Sequence, residues 1–209
     1  MIQLDLRKQY RRLYAPSPKK VELVSVPELR FLMLDGSIEP GAEPGTSPGF
    51  GEGLGALYSV AYTLKFMSKL RKENAIDYPV MALEGLWWVE DGKFDITVKD
   101  NWFYTLMIMV PEHITPEMLL EAVGQAARKK PNSALSRLRL TSYCEGLCVQ
   151  TMHIGPYSTE PETVARMDVW ADENGYRMVG KHHEIYMGDP RRAQPETLKT
   201  VLRHGVERL

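Results

Sequence analysis

The sequence has few cysteines, no long apolar run and no excess of charge of either sign. Cys144 and Cys148 are the only cysteines among 209 residues, too few for a disulfide framework, and this usage fits a reducing compartment. No apolar run approaches the roughly 20 residues that cross a bilayer. Met1–Tyr10 also lacks the apolar core of a signal peptide. We therefore expect a water-soluble, cytoplasmic protein with no membrane partner.

The charge balance argues against nucleic acid as a partner. The 26 Lys and Arg residues nearly equal the 27 Asp and Glu residues, and the net charge is -1, so no long-range attraction to phosphate backbones is expected. An N-terminal arm, residues 1–20, does carry several basic side chains. Leu6, Tyr10, Leu13 and Tyr14 interrupt them at helical spacing, which predicts a helical turn that packs on the body of the protein.

Hydrophobic periodicity and turn residues predict the elements of the first part of the chain. The predicted elements are a strand over 21–35, a Gly- and Pro-rich loop over 36–55, a helix over 54–74, and strands over 78–89, 94–98 and 102–110. Thr115 and Pro116 then begin a helix that runs to Lys130, as expected for a Thr N-cap followed by Pro.

From Leu147 onward, the chain repeats the order strand, helix, strand, strand that the first half shows. Strands are predicted over 138–143 and 147–153, with Glu145-Gly146 as a tight hairpin turn between them. A capping box of Thr159 and Glu162 begins the next helix, and Gly175 ends it. The last predicted strands cover 183–187 and 197–206.

Together these elements predict an α+β fold of two strand–helix–strand–strand modules related by a pseudo-twofold. The arm would precede a single domain over 21–209, built of modules at about 21–130 and 131–209. The string Leu83-Glu84-Gly85 in one module matches His183-Glu184-Ile185 in the other. Because pockets form preferentially at such seams, we expect a central ligand cleft between the modules.

Two glutamates are the strongest candidates for chemistry. Because side chains alternate along a strand, Glu184 should share a face with Tyr186, and Glu84 with Trp88. A carboxylate beside aromatic rings can bind a cation, or act as a general base once burial raises its pKa. The alternative is that each glutamate points to water beside core aromatic residues.

The histidines give weaker signals. His153 begins the string His-Ile-Gly-Pro-Tyr that ends at Tyr157, which is either a structural turn or the rim of a pocket. His182 and His183 resemble a metal-binding pair, but neighbouring side chains on a strand point to opposite faces. No further zinc motif accompanies them, so we expect no metal and no cofactor.

Several of these strings resemble the GyrI-like small-molecule-binding family. The His153–Tyr157 string and His183-Glu184-Ile185-Tyr186, followed by Asp189-Pro190, are typical of the family, and three further strings resemble a stand-alone subgroup of it, Leu13-Tyr14-Ala15-Pro16, Val26-Pro27 and Leu83–Trp88. The resemblance implies two modules around a pocket that binds bulky, often cationic aromatic compounds against a buried glutamate, here Glu184. The regulators among the members also carry a DNA-binding helix-turn-helix, for which the roughly twenty residues before the first strand leave too little chain.

Some stand-alone members that this sequence resembles are hydrolases. They open the cyclopropane ring of DNA-alkylating natural products, and Glu184, Tyr186 and Trp88 would be the corresponding residues here.

From the residues and the resemblance together, we expect a protein that binds or sequesters flat, hydrophobic, often cationic aromatic molecules. The alternative is the hydrolase, with Glu184 as the base and a tyrosine hydroxyl as the donor at the leaving carbonyl. An adaptor for a protein partner is a third hypothesis. The predicted ligand-binding residues are Glu184, Tyr186, Trp88, Glu84, Tyr104, Tyr157 and His153; Glu184 and Tyr186 would be catalytic in an enzyme.

Overall fold

The computed structural model describes residues 1–92, 94–98 and 101–209. In chain order the elements are β1 (Ile2–Gln3), α1 (Leu6–Gln9), α2 (Arg11–Tyr14), β2 (Glu22–Ser37), α3 (Pro48–Lys69), β3 (Ile76–Asp77), β4 (Leu83–Trp88), β5 (Phe103–Met109), α4 (Pro116–Lys129), β6 (Arg139–Ile154), α5 (Glu160–Glu173), β7 (Tyr176–Tyr186) and β8 (Lys199–Arg208). Short 3-10 helices cover Ser133–Arg137, Tyr157–Thr159 and Pro195–Thr197. The α+β class is confirmed. The order strand, helix, strand, strand holds from β6 to β8, and the first half has the same order from β2 to β5 with the two-residue strand β3 added. The pseudo-twofold and the single domain stay predictions.

The chain forms two compact units whose segments alternate along the sequence. Residues 1–9, 29–81 and 100–143 make up unit 1, and residues 10–28, 82–99 and 144–209 make up unit 2. Among the described residues, no helix combines the length and the apolar character that a membrane span requires.

Unit 1 pairs the end of β2 with β5. The two strands run antiparallel, with Leu34 opposite Leu106, and both side chains are fully buried. Helix α3 contacts β5 and α4, and β1 pairs in parallel with β3. The apolar side chains of β5 predicted this buried strand correctly, because a strand covered on both faces has no polar alternation.

Helix α3 begins earlier than the sequence predicts, within the Gly-rich segment assigned to a loop. The Ser47 hydroxyl accepts a hydrogen bond from the Phe50 amide at 3.2 Å, and Pro48 occupies the first turn. These start signals outweigh the helix-weakening glycines that follow. Gly53 also has a packing reason, because a Cβ there would lie 2.9 Å from Leu34 Cδ2.

Unit 2 is built on an antiparallel sheet in the order β4-β7-β8-β6. Helix α5 packs on this sheet. The apolar cluster of unit 2 joins the helix to the strands through Val21, Val149, Met167, Leu202 and Val206. A register shift between Val179 and His183 interrupts the pairing of β7 with β8, and Gly180, with φ of 77°, supplies the backbone conformation that this bulge needs.

Three local predictions are wrong, two of them in the second half of the chain and one at residues 94–98. Strand β6 continues through Glu145-Gly146 as one strand of 16 residues, since Gly146, with φ of 76°, does not turn the chain back. The Thr159 side chain makes no capping bond to the α5 amides, because its hydroxyl donates to the Pro156 carbonyl at 2.9 Å. The described residues 94–98 form no strand.

The N-terminal arm packs on both units with the side chains that the spacing predicted. Leu6 is buried in unit 1, and Leu13 and Tyr14 are buried in unit 2. Arg12 donates to the Leu23 carbonyl at 2.8 Å. The arm is therefore a packed part of the fold, and the absence of a nucleic-acid partner stays a prediction.

Candidate functional site

Strand register divides the polar residues of unit 2 between the two faces of its sheet. Gly85 lies opposite Glu184, whereas Glu84 lies opposite Ile185. Residues directly opposite each other share a face, so Glu84 and Glu184 point to opposite sides. His182 and His183 separate in the same way, as the sequence predicted from strand alternation.

The first face carries an ion-pair cluster, which comprises Tyr14, Glu84, Glu145, His183 and Arg203. Tyr14 donates to Glu84 Oε1 at 2.5 Å, and His183 Nε2 donates to Glu84 Oε2 at 3.1 Å. His183 Nδ1 donates to Glu145 Oε2 at 3.0 Å. Arg203 lies 3.4 Å from the same Glu145 oxygen. Glu84 itself is fully buried.

The ion-pair cluster is balanced in charge. Burial alone would lower the pKa of His183, but Glu145 and Glu84 outweigh burial and raise it to about 9. Burial would raise the pKa of Glu145, but His183 and Arg203 lower it to about 2. The cluster also holds the arm, because Arg203 donates to the Leu13 carbonyl at 2.7 Å. Since buried ions are tolerated when they are paired and hydrogen-bonded, these residues support the fold.

The second face carries a carboxyl-pair cluster, which comprises Glu160, His182, Glu184, Tyr186 and Trp87. Trp87 Nε1 can only donate, and it lies 3.1 Å from the Tyr186 oxygen. The Tyr186 hydroxyl must therefore use its proton on Glu184 Oε2, at 2.5 Å. Burial and then the charge of Glu184 raise the pKa of Tyr186 well above its usual value.

A histidine pair reaches Glu184 from the other side. His182 Nε2 lies 2.9 Å from Glu184 Oε1, and His182 Nδ1 lies 2.7 Å from His204 Nε2. When Glu184 is ionised, His182 donates to it through Nε2–H and accepts from His204 at Nδ1. Two donors thus converge on the Glu184 carboxylate, which is the arrangement that stabilises a buried negative charge.

Glu160 completes the cluster with a second carboxyl group. It is the first residue of α5 and only 1% exposed, and its Oε1 atom has no hydrogen-bond partner among the described residues. Burial first, and then the charge of Glu184, raise the pKa of Glu160 to about 10. At neutral pH the pair therefore holds a protonated Glu160 beside Glu184. Two nearby carboxyl groups that cannot both ionise are a recurrent feature of catalytic sites.

Tyr157 lies at the border of the carboxyl-pair cluster. Its ring meets that of Tyr186 edge-on at 5.9 Å, and it is 38% exposed. Burial, and then Glu160 and Glu184, raise the pKa of Tyr157 to about 12. His153 bonds to Thr163 at 2.9 Å and lies close to Gly155. These contacts make the His153–Tyr157 string both a structural turn and a neighbour of Glu184.

Close packing explains one residue of the shared sequence string. A Cβ at Gly85 would lie 2.9 Å from Trp87 Nε1 and 3.2 Å from the Tyr186 oxygen. Glycine at this position therefore leaves room for the bond from Trp87 to Tyr186, and for the Glu184 carboxylate that lies on the same face.

The structure brings some predicted site residues together and separates others. Glu184, Tyr186, Tyr157 and His153 lie on or beside the carboxyl-pair cluster. Glu84 belongs to the ion-pair cluster. Trp88 also points away from Glu184, and Lys181 Nζ lies 3.2 Å from the centre of its ring. Tyr104 belongs to unit 1, where it is buried against Phe50 with ring centres 5.1 Å apart.

Sequence reasoning misses Glu160, His182 and Trp87. Glu160 is obscured because Thr159 and Glu162 have the spacing of a capping box, although an acidic residue directly before Pro161 is itself a helix-start signal. His182 attracts notice only as half of a metal pair. Strand alternation counted from Glu184 would have placed it on the same face.

The carboxyl-pair cluster brings a proton donor, a proton acceptor and potential metal-ligand atoms close together. A protonated carboxyl can donate where an ionised one accepts, and one atom each from Glu160, His182 and Glu184 lie within 4.8 Å of one another. The residues therefore suit proton transfer to a bound molecule, and they also include ligand types that bind metal ions.

A family model for the GyrI-like small molecule binding domain matches residues 19–203. The chain belongs to the GyrI-like family. Small-molecule binding is thus the general function of the domain, and the resemblance drawn from the sequence strings is confirmed. None of the curated proteins matches the chain.

Among solved structures, the chain is similar to two proteins of Listeria innocua. An uncharacterised conserved protein is 41% identical with a TM-score of 0.87, over 98% of this chain and 100% of that chain. A hydrolase is 39% identical with a TM-score of 0.84, over the same shares of the two chains. The C-terminal domain of EcmrR, at 12% identity and a TM-score of 0.56 over 91% of this chain and 98% of that chain, shares the fold.

Proposed function

We propose that this GyrI-like protein hydrolyses bulky, flat, hydrophobic small molecules, with Glu184 as the general base and Glu160 as the proton donor. The observation that carries the proposal is the buried carboxyl pair: Glu160 is 1% exposed, its Oε1 atom has no hydrogen-bond partner among the described residues, and the two side chains bring oxygens within 4.8 Å of each other. Burial and the charge of Glu184 raise the pKa of Glu160 to about 10, so that it can serve as the acid of the pair. Binding alone needs no such pair, whereas hydrolysis needs a base for water and an acid for the leaving group. The similar Listeria hydrolases support this choice.

The two carboxyl groups would exchange roles within one turnover. Ionised Glu184 takes a proton from water as the water oxygen attacks, and protonated Glu160 gives its proton to the oxygen that gains negative charge. The reaction leaves Glu184 protonated and Glu160 ionised. Burial and then the charge of Glu184 raise the pKa of Glu160, so the proton returns from Glu184 to Glu160. This transfer restores the starting state without any net exchange with solvent.

Tyr186 and His182 would hold the base in position. Both donate to Glu184, one to each carboxylate oxygen, at 2.5 and 2.9 Å. These bonds fix the carboxylate plane, so that the remaining lone pairs are directed at the bound water. Neither residue needs to change its own protonation state.

The substrate class we propose is the cyclopropane-containing, DNA-alkylating natural products, as the family resemblance implied. In such a compound the ring carbon would accept the water oxygen, the strained carbon–carbon bond would break, and its electron pair would pass through the conjugated system to the carbonyl oxygen. That oxygen takes the proton from Glu160. The aromatic rings of Tyr157 and Tyr186, 5.9 Å apart, would contact the flat skeleton.

The test is incubation with one such natural product, followed by mass spectrometry for the addition of one water. Glu184→Gln should lower the rate of hydrolysis by about 10²–10⁴-fold, the usual contribution of a general base, while the affinity for the compound stays nearly unchanged. The rate of the wild-type protein should fall as the pH rises through about 10, because Glu160 then loses the proton that it donates.

The matched control is Glu162→Gln, an exposed glutamate two positions further along α5. It should leave the rate unchanged. No hydrolysis by the wild-type protein, or equal rates for Glu184→Gln and wild type, would contradict the proposal.

Binding of aromatic cations is the second candidate function. The Glu184 carboxylate accepts the Tyr186 hydroxyl at 2.5 Å, and the Tyr157 ring meets the Tyr186 ring edge-on. A carboxylate close to two aromatic rings can attract a cation through both its charge and the ring faces. In that case Glu184→Gln should lower the affinity for a cationic aromatic ligand by about 10- to 100-fold, the range of charged hydrogen bonds. The affinity for a neutral ligand of the same shape should stay unchanged. The same variant therefore separates the two functions by calorimetry.

A further inference from the structure

The carboxyl-pair cluster brings three potential metal ligands together in one buried position. Glu160, His182 and Glu184 are each at most 7% exposed, and one ligand atom from each lies within 4.8 Å of the other two. They come from the start of α5 and from two alternate residues of β7. Two carboxylates and one imidazole suit the borderline divalent metals, Zn²⁺ foremost.

A second observation points to a ligand here. The Oε1 atom of Glu160 is buried and has no hydrogen-bond partner among the residues that the structure describes, although buried carboxyl oxygens are nearly always satisfied. A negative site with an unused ligand atom requires a cation, either a proton or a metal ion.

The surroundings of His182 are those of a metal ligand. His182 Nε2 lies 2.9 Å from Glu184 Oε1, so a separation of the two atoms by a few tenths of an ångström would let both bind one ion at about 2.0–2.1 Å each. A metal on Nε2 leaves the proton on Nδ1, which would donate to His204 Nε2 across the existing 2.7 Å contact. Metal-bound histidines almost always have such a partner on their other nitrogen.

We propose that Glu160, His182 and Glu184 form a binding site for a divalent transition-metal ion such as Zn²⁺, with His204 as the outer partner of His182. The separation of His182 from His183 on opposite faces does not oppose this, because the site uses His182 with two carboxylates. The ion would bind the same carboxylate oxygens that the proposed hydrolysis uses, so Zn²⁺ would inhibit hydrolysis. Metal binding itself does not depend on the proposed hydrolysis.

Calorimetric titration of the chelator-treated full chain with ZnCl₂, without substrate, tests the proposal. We expect one Zn²⁺ per chain. Glu160→Gln and His182→Asn each replace a strong ligand with a neutral amide, which binds Zn²⁺ poorly, and should weaken binding by more than about 100-fold. His204→Leu should weaken it by about 10- to 100-fold, as loss of an outer partner does. Glu162→Gln should bind like the wild type.

X-ray absorption of the Zn²⁺ complex supplies the readout that does not depend on the variants. Nitrogen and oxygen ligands at about 2.0–2.1 Å support the site, and sulfur ligands at about 2.3 Å would assign the ion to cysteine and overturn it. No binding by the wild type, or unchanged binding by both Glu160→Gln and His182→Asn, would also overturn it. Because these measurements use no substrate, their failure leaves the proposed hydrolysis to be judged by its own assay.

Discussion

His182 and His183 are neighbours on β7, but they belong to two different buried clusters. The clusters differ in how completely other side chains balance their charges and complete their hydrogen bonds. His183 lies between Glu84 and Glu145, and Arg203 adds a second cation to the same group. His182 lies beside Glu184 and Glu160, so this cluster brings two carboxyl groups together around one histidine. One face of the sheet is therefore balanced by its own residues, and the other is not.

The difference separates a structural role from a functional one. Replacing one member of a charge-balanced buried cluster leaves another member's charge buried without a partner, which is strongly destabilising. Residues of this kind therefore serve stability. A buried carboxyl with an unused oxygen is unfavourable for folding, and proteins keep such groups where a bound molecule uses them. The position of a glutamate in a similar sequence string does not distinguish these roles, but its hydrogen-bond partners do.

The largest expected loss of stability comes from a substitution in the ion-pair cluster. Arg203→Leu should lower the free energy of unfolding by about 3–5 kcal/mol, because Glu145 keeps its buried charge with one cation fewer and the Leu13 carbonyl loses its donor. His204→Leu, the next residue on β8, should cost only about 1 kcal/mol. Urea denaturation measures both. Equal losses would show that the two faces of the sheet do not differ in this way.

A substitution in the carboxyl-pair cluster should change the free energy of unfolding by a smaller amount and in the opposite direction. The pKa of Glu160 is raised from 4.5 to about 10, so this group contributes most favourably below about pH 4.5 and progressively less as the pH rises towards 10. Glu160→Gln removes that dependence. It should therefore raise the free energy of unfolding by about 1–3 kcal/mol at pH 8, and much less at pH 4.

Denaturation of wild type and Glu160→Gln at the two pH values checks this prediction, with Glu162→Gln as the exposed control. A variant that is less stable than the wild type at pH 8 would mean that the surroundings of Glu160 stabilise it, and the two faces would then not differ in how well their carboxyl groups are satisfied.

The smallest effect concerns the orientation of Glu184. Tyr186→Phe removes the donor to Glu184 Oε2 and the acceptor for Trp87, and we expect a loss of about 1 kcal/mol of stability with about a tenfold slower hydrolysis. Tyr176→Phe, on the same strand, should change neither quantity. If Tyr186→Phe hydrolyses at the wild-type rate, the Tyr186 hydroxyl does not position the base.

The sequence predicted the elements better than it predicted which side chains meet. Apolar periodicity located β5, α5 and β8 nearly to the residue, because their buried faces are long and regular. It failed at Glu145-Gly146, since a glycine with positive φ serves a continuous strand as readily as it serves a turn. The start of α3 was missed for a related reason, because glycines weaken a helix but do not forbid one that is well capped.

The site was predicted through Glu184 and Tyr186, whose alternation along one strand is a local property. Glu84 was grouped with them because its sequence string resembles theirs. The face on which Glu84 lies depends on the register between β4 and β7, because a shift of one residue moves every side chain of a strand to the other face. Glu160 lies on another element, and only packing shows that it meets Glu184. Register and packing are not local properties, so the sequence alone could not supply the pair.

The most direct test of the central claim is the protonation state of Glu160 at neutral pH. An infrared difference spectrum between the wild-type protein and Glu160→Gln isolates the carboxyl band of that side chain. We predict a band of the neutral carboxylic acid at pH 7 that disappears as the pH rises through about 10. A band of the ionised carboxylate at pH 7 would contradict this claim, because Glu160 would then have no proton to donate.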